Sequence, residues 1–132
     1  MNITVVDQLE ALRAHLAAFE LPELYSVHVL TVSGEPTVTM QLSARHPSQI
    51  AAGLLAWVDT LTGVTTEAWR VPRGDSVRLS VIGQLTEDVT TCVYGGLLLT
   101  PHGIGADLTP GGRKTVPLAV LRHLATPGEV TL

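Results

Sequence analysis

A loop that holds a phosphate packs backbone N–H groups around it and then opens a helix with Gly-Lys-Ser or Gly-Lys-Thr. Gly111-Gly112-Arg113-Lys114-Thr115 comes near that pattern. It departs where Arg113 stands between glycine and lysine, and where Pro117 follows at once. Gly103-Ile104-Gly105 opens like a dinucleotide fingerprint, but Leu108 holds the place of the third glycine. The stretch reads instead as an irregular loop running up to a helix. His102, Arg113 and Lys114 lie in it, and together they could hold an anion or a small molecule under the loop.

The other reactive residue types are scattered. His15, His28, His46, His102 and His123 include no pair at the i, i+2 or i, i+4 spacing that puts two ligands on one face, so no metal site is expected. Cys92, the only cysteine, sits in mid-strand between Thr91 and Val93, with no local base to lower its pKa. Glu87-Asp88 is an acidic pair in a turn, which normally faces water, and no serine lies in a nucleophile-elbow context. The sequence therefore names no catalytic residue and no cofactor.

A third group suits recognition. Trp69 shares a strand face with Thr65, Glu67 and Val71. If that face turns away from the helices, His28, Trp69, Arg78, Ile82 and Tyr94 come together as an interface patch. Aromatic residues and arginine are enriched at the centres of interfaces.

These residues need a scaffold. Val5, Leu9, Leu12, Leu16 and Phe19 recur at 4-3-4-3 spacing and form one apolar helical stripe, with Thr4 as N-cap, Asp7 three residues on, and Pro22 as the stop. Leu24–Val32 and Thr37–Ala44 read as a hairpin across Ser33-Gly34-Glu35-Pro36. Pro47-Ser48 opens a second helix with Ile50, Leu54, Trp57 and Leu61 inward and Gly63 as its C-terminal stop. Strands follow at Val64–Val71, Ser76–Leu85 and Val89–Tyr94, then a glycine-rich irregular arm over 95–116. A short helix, Pro117–Ala125, turns Leu118, Leu121 and Leu124 to one side, and Thr126–Leu132 is a tail.

The expected fold class is α+β, in the order α-β-β-α-β-β-β-loop-α. It is a two-layer sandwich, with a five-stranded, mainly antiparallel sheet and two helices on one face. The helices and sheet are expected to meet through Leu12, Leu16, Leu54, Trp57, Val38, Met40, Leu79 and Val81. Residues 1–132 form one domain, since no composition break divides them.

Composition narrows the function. Hydrophobic residues at 45% and charged residues at 15% make a globular chain whose surface is poor in charge. Residues 1–100 hold ten acids and five bases (−5), and residues 101–132 hold two acids and three bases (+1), together the net −4. Neither part is a basic stripe, so nucleic-acid binding through phosphates is not expected. The N-terminus lacks a signal-peptide pattern and the longest apolar run, Ile50–Val58, is too short to span a bilayer, which points to the cytoplasm and away from the membrane.

The order of elements resembles the roadblock family of small dimeric scaffold proteins, in topology only. Gly53-Leu54-Leu55-Ala56-Trp57 and Val93-Tyr94-Gly95-Gly96 look like segments of uncharacterised small actinobacterial α+β proteins. The leading expectation is a non-enzymatic interaction or scaffold module. It forms a homodimer, or meets another protein, through the outer sheet face. The alternative is a small-molecule- or anion-binding protein or enzyme, with its site under the 95–115 arm.

Overall fold

The structure, a computed structural model, describes residues 3–30 and 36–126. Helix α1 (Val5–Ala18) starts where Thr4 and Asp7 close a capping box. Asp7 N–H donates to the Thr4 hydroxyl at 3.1 Å and Thr4 N–H donates to the Asp7 carboxylate at 2.9 Å. Two orphan donors of the first turn are thereby satisfied. The Thr4 backbone bond, then its side chain, hold the Asp7 carboxyl below its usual value.

Strands β1 (Leu24–Leu30) and β2 (Thr37–Leu42) pair antiparallel, as their alternation predicts. Ser33, Gly34 and Glu35 of the expected turn and most of the expected tail lie outside the described residues, as do Thr31 and Val32 of the first predicted strand. Helix α2 (Pro47–Val58) is followed by β3 (Thr62–Arg70), β4 (Ser76–Gln84) and β5 (Thr90–Leu98). A three-residue strand, β6 (Arg113–Thr115), and helix α3 (Leu118–Ala125) complete the fold.

Among the described residues the sheet therefore has six strands, not the five expected, in the order β1-β2-β5-β4-β3-β6, and of their pairings only β2–β5 is parallel. The sixth strand comes from the glycine-rich arm: Arg113-Lys114-Thr115 adds to the free edge of β3, and β5 runs on through Gly95 and Gly96 to Leu98. Among the described residues three helices join the core on one face, the closing helix as well as the two expected there. Leu12 of α1, Trp57 of α2 and Leu121 of α3 all belong to one buried cluster.

Period-two alternation decides what faces the helices. Val38, Met40 and Leu42 of β2, Val77, Leu79 and Val81 of β4, and Thr91 and Val93 of β5 are buried. Gly95 belongs to the same inward row, and a Cβ there would overlap Ile50 of α2. Glycine at this position lets the helix settle onto the sheet. The expected stop at Gly63 is different in kind. Helix α2 ends at Val58, and Gly63, at φ +62°, lies in an irregularity at the start of β3. That conformation suits glycine, which has no Cβ to clash.

Of the eight residues expected to pack helices on sheet, seven are buried. Leu16 is not; it is 39% exposed. The buried positions of α1 are Gln8, Leu12 and His15, so the helix is rolled away from its apolar stripe. Polar anchors explain the roll. Gln8 Nε2 donates to the Leu30 carbonyl at 3.0 Å, and the His15 ring stacks on Trp57 at 5.5 Å. Val5, Leu9, Leu16 and Phe19 are left partly in water. Among the described residues no helix is long and apolar enough to cross a membrane.

Candidate functional site

The sheet face away from the helices gathers the sequence's interface residues into one row. Register sets it. Arg113 of β6 lies opposite Trp69 of β3, Trp69 opposite Arg78 of β4, and Arg78 opposite Gly96 of β5. Tyr94, two residues before Gly96, lies beside Gln41 of β2, and Gln41 beside Ser26 of β1. A single band of side chains thus crosses the whole sheet.

Within the band, cations alternate with rings. The Arg113 and Arg78 guanidinium carbons each lie 5.3 Å from the Trp69 ring centre, and Arg78 lies 4.6 Å from the Tyr94 ring centre. Tyr94 Oη donates to Gln41 Oε1 at 3.3 Å. Each exposed cation–π contact contributes about 0.5–1 kcal/mol. More important for recognition, these contacts hold the guanidinium groups over the rings. Arg113 shares one edge with Glu67 at 3.4 Å. Arg78 is exposed and has no ion-pair partner among the described residues.

Beside Arg78 the sheet opens into a groove. A Cβ on Gly96 would meet nothing within 4 Å. The groove there, about 410 Å³, is lined by Tyr25, Gln41, Ser43, Arg45 and Gly96 among others. Its polar walls and the exposed Arg45 extend the cationic band beyond Tyr94.

The remaining interface residues lie on the same face but outside the band. Ile82, half-buried, is paired with Cys92, and His28, exposed, with Thr39. Burial pushes the Cys92 thiol up. A bond from Ser80 and the charges of Arg78 and Arg113 act the other way, while Glu67 adds to the rise. A thiol so placed is not an activated nucleophile.

His102, Arg113 and Lys114 do not converge. His102 is exposed in a turn, and Arg113 belongs to the outer band. Lys114 pairs with the inward Ala68 and donates to Asp107 at 2.7 Å, a bond that lowers the Asp107 carboxyl. The arm itself is latched. Arg70 Nη1 donates to the Leu108 carbonyl at 2.5 Å, and Arg70 Nη2 to the Gly74 carbonyl at 3.1 Å. Gly111 N–H donates to the Arg70 carbonyl at 2.7 Å. Residues 113–115 are strand, not a loop opening a helix, so the near-phosphate-loop motif lacks the geometry it needs.

His15 is a core residue. The Thr60 hydroxyl spends its one hydrogen on the Trp57 carbonyl at 2.9 Å, so His15 Nε2 must be the donor in its 2.7 Å bond to Thr60 Oγ1. Burial holds its pKa below the ordinary value. His46 caps no N–H of α2 with its side chain and bonds Ser48 Oγ at 3.1 Å, and His123 is exposed on α3. Among the described residues no three His, Cys, Asp or Glu side chains are grouped to hold a metal ion.

Sequence reasoning missed Arg113 as a member of the band, and Tyr25, Arg45 and Gly96 as its groove. The alternation in Arg113-Lys114-Thr115-Val116 was the available signal for an added strand. Compared with known proteins, the chain matches no family model, and no curated protein or solved structure shows significant similarity to it.

Proposed function

We propose that this protein is a non-enzymatic interaction module that recognises an acidic polypeptide segment on the outer face of its sheet. The observation that carries this reading is the Arg113–Trp69–Arg78–Tyr94 band, continued by Arg45. Guanidinium groups held over rings are already restrained, so a partner carboxylate can take a two-pronged bond from them at little cost in side-chain entropy. Arg45, Arg78 and Arg113 outnumber Glu67 along the band, while the whole chain carries −4. The cationic band is a local feature of an acidic protein, as suits selective docking.

Two other occupants fit less well. Bases of a single-stranded nucleic acid need free aromatic faces on which to stack. Here Trp69 and Tyr94 are engaged by guanidinium groups, and the acidic chain repels a phosphate backbone. A second copy docked face to face about a two-fold axis would set like arginines near one another, which opposes an isologous contact.

The test is titration of the purified protein with poly-glutamate, read by tryptophan fluorescence and calorimetry. Saturable, salt-sensitive binding is expected, abolished in R78E and weakened in R113E. Equal affinity for wild type and R78E, or tighter binding of oligo-deoxythymidine than of poly-glutamate, would overturn the proposal.

A further inference from the structure

Among the described residues nine large hydrophobic side chains are exposed, and six of them belong to α1, its C-cap and the helix-side face of β1. Val5, Val6, Leu9, Leu16 and Phe19 come from α1 and its C-cap, and Val27 comes from β1. Of the other three, Tyr25 lines the outer-face groove, Leu30 pairs with Thr37 on the outer face, and Leu98 belongs to β5. Apolar clusters of several hundred Å² on a small protein mark interaction sites.

The two edges of the sheet make the same point. β6 is three residues long and carries Arg113 and Lys114, the short, charged form that discourages further strand pairing. β1 is seven residues long, Leu24 to Leu30, and is free of Lys, Arg, Asp and Glu. Among the described residues it pairs as a strand only with β2; Gln8 takes the Leu30 carbonyl, and the remaining backbone groups of the other side are open to a further strand. Only the first residues of β1 are irregular, with a register shift between Leu24 and Ser26.

We infer that the β1 edge and the neighbouring flank of α1 bind a second copy of this chain, β1 pairing antiparallel with β1 about a two-fold axis. The strand is its own complement in that arrangement. Val27 is its middle residue. It shares the helix-side face with Met40, yet remains 40% exposed. Across the axis Val27 meets the same valine of the second copy.

Strand pairing carries the helix layer with it. The buried side of α1 is held by Trp57 of α2 and by the Leu30 carbonyl of β1, which leaves the flank carrying Leu9 and Leu16 exposed on the helix that packs beside β1. Two such flanks come together when two β1 strands pair. Charge does not oppose the contact. Glu10 and Arg13, the ionised groups of α1 near this flank, neutralise each other at 2.6 Å. The seven-residue strand gives the contact its backbone, and Val27, Leu9 and Leu16 give it apolar side chains. The product is one twelve-stranded sheet, with both outer faces on the same side and both β6 edges outermost.

Sedimentation of the full chain across micromolar concentrations tests this. The expected mass is twice 14.0 kDa. Val27→Asp and Leu16→Glu should each weaken the dimer at least about tenfold with the circular dichroism unchanged. Leu98→Glu, on an exposed apolar residue of β5 away from β1, should leave it intact, as should Trp69→Glu. Leu16 lies on an exposed helix flank, so L16E decides the matter even if V27D fails to fold. A 14.0 kDa species at every concentration, a dimer insensitive to L16E, or one lost in W69E or L98E would overturn the inference.

Discussion

The outer sheet face and the α1–β1 corner are both exposed, but they are stabilised in opposite ways. On the outer face each large side chain of the band has an internal companion: Trp69 and Tyr94 hold Arg78, Trp69 and Glu67 hold Arg113, and Gln41 takes the Tyr94 hydroxyl. That surface is stable in water and keeps its donors aimed outward. At the corner the polar residues are the buried ones, Gln8 and His15, and the apolar ones face solvent. One surface is thus organised for a charged partner, and the other gains only when apolar area leaves water. Exposure alone says little; the difference lies in whether the exposed groups are already satisfied.

Several measurements would break or sharpen that contrast. Trp57 is fully buried under α2 and carries the His15 ring. Trp57→Ala should cost about 3–5 kcal/mol in a denaturant titration, because it removes a deep aromatic and the seat of α1 together. A loss near zero would mean that α1 is not seated there, and the corner would lose its meaning as a built surface.

A smaller effect is expected from the cap. Thr4→Ala removes the capping hydroxyl and should cost about 1 kcal/mol, confined to α1. Hydrogen exchange should rise in α1 while poly-glutamate binding to the outer face stays unchanged. Weakened binding would show that the two surfaces are coupled.

Mild acid should act on the corner through His15, and more weakly. The folded state holds neutral His15 and disfavours its proton, whereas the unfolded chain takes one up near pH 6.5. The contribution of His15 is therefore fully present above pH 6.5 and falls as pH drops through 6.5 toward the depressed folded value. His15→Gln should flatten that part of the stability profile. A profile that keeps its slope in H15Q would assign the effect to other groups.

The smallest effect on stability should come from the outer band. Arg78→Lys keeps the charge but loses the flat stacking plane, so denaturation midpoints should shift by no more than about 0.5 kcal/mol. Acidic-peptide binding should nevertheless fall. Unchanged binding in R78K would reduce the band to a diffuse charge effect.

The alternation of Val38-Thr39-Met40 and Val77-Arg78-Leu79 was legible because a strand's two faces follow from period two, whatever the neighbours. That local rule predicted the hairpin and the inward core, and it offered Trp69, Arg78, Ile82 and Tyr94 as one set if their strand faces turned away from the helices. The Thr4–Asp7 cap was readable for the same reason, since its partners are three residues apart. Arg113 was not readable as a site residue, because its neighbour Trp69 is brought to it only by strand addition across 44 residues of chain (113 − 69).

Leu16 shows the limit from the other side. A helix with two overlapping stripes, one apolar through Val5, Leu9 and Leu16 and one mixed through Gln8, Leu12 and His15, can bury either. Periodicity by itself favours the apolar one. The choice was made by Trp57, Thr60 and the Leu30 carbonyl, groups distant in sequence that offer His15 and Gln8 specific partners. Which residues alternate, cap and turn was determined by the sequence alone, because those preferences act within a few residues. The roll of α1, the sixth strand and the joining of Arg113 to Trp69 were decided by tertiary structure, because each depends on a contact between elements that no local preference encodes.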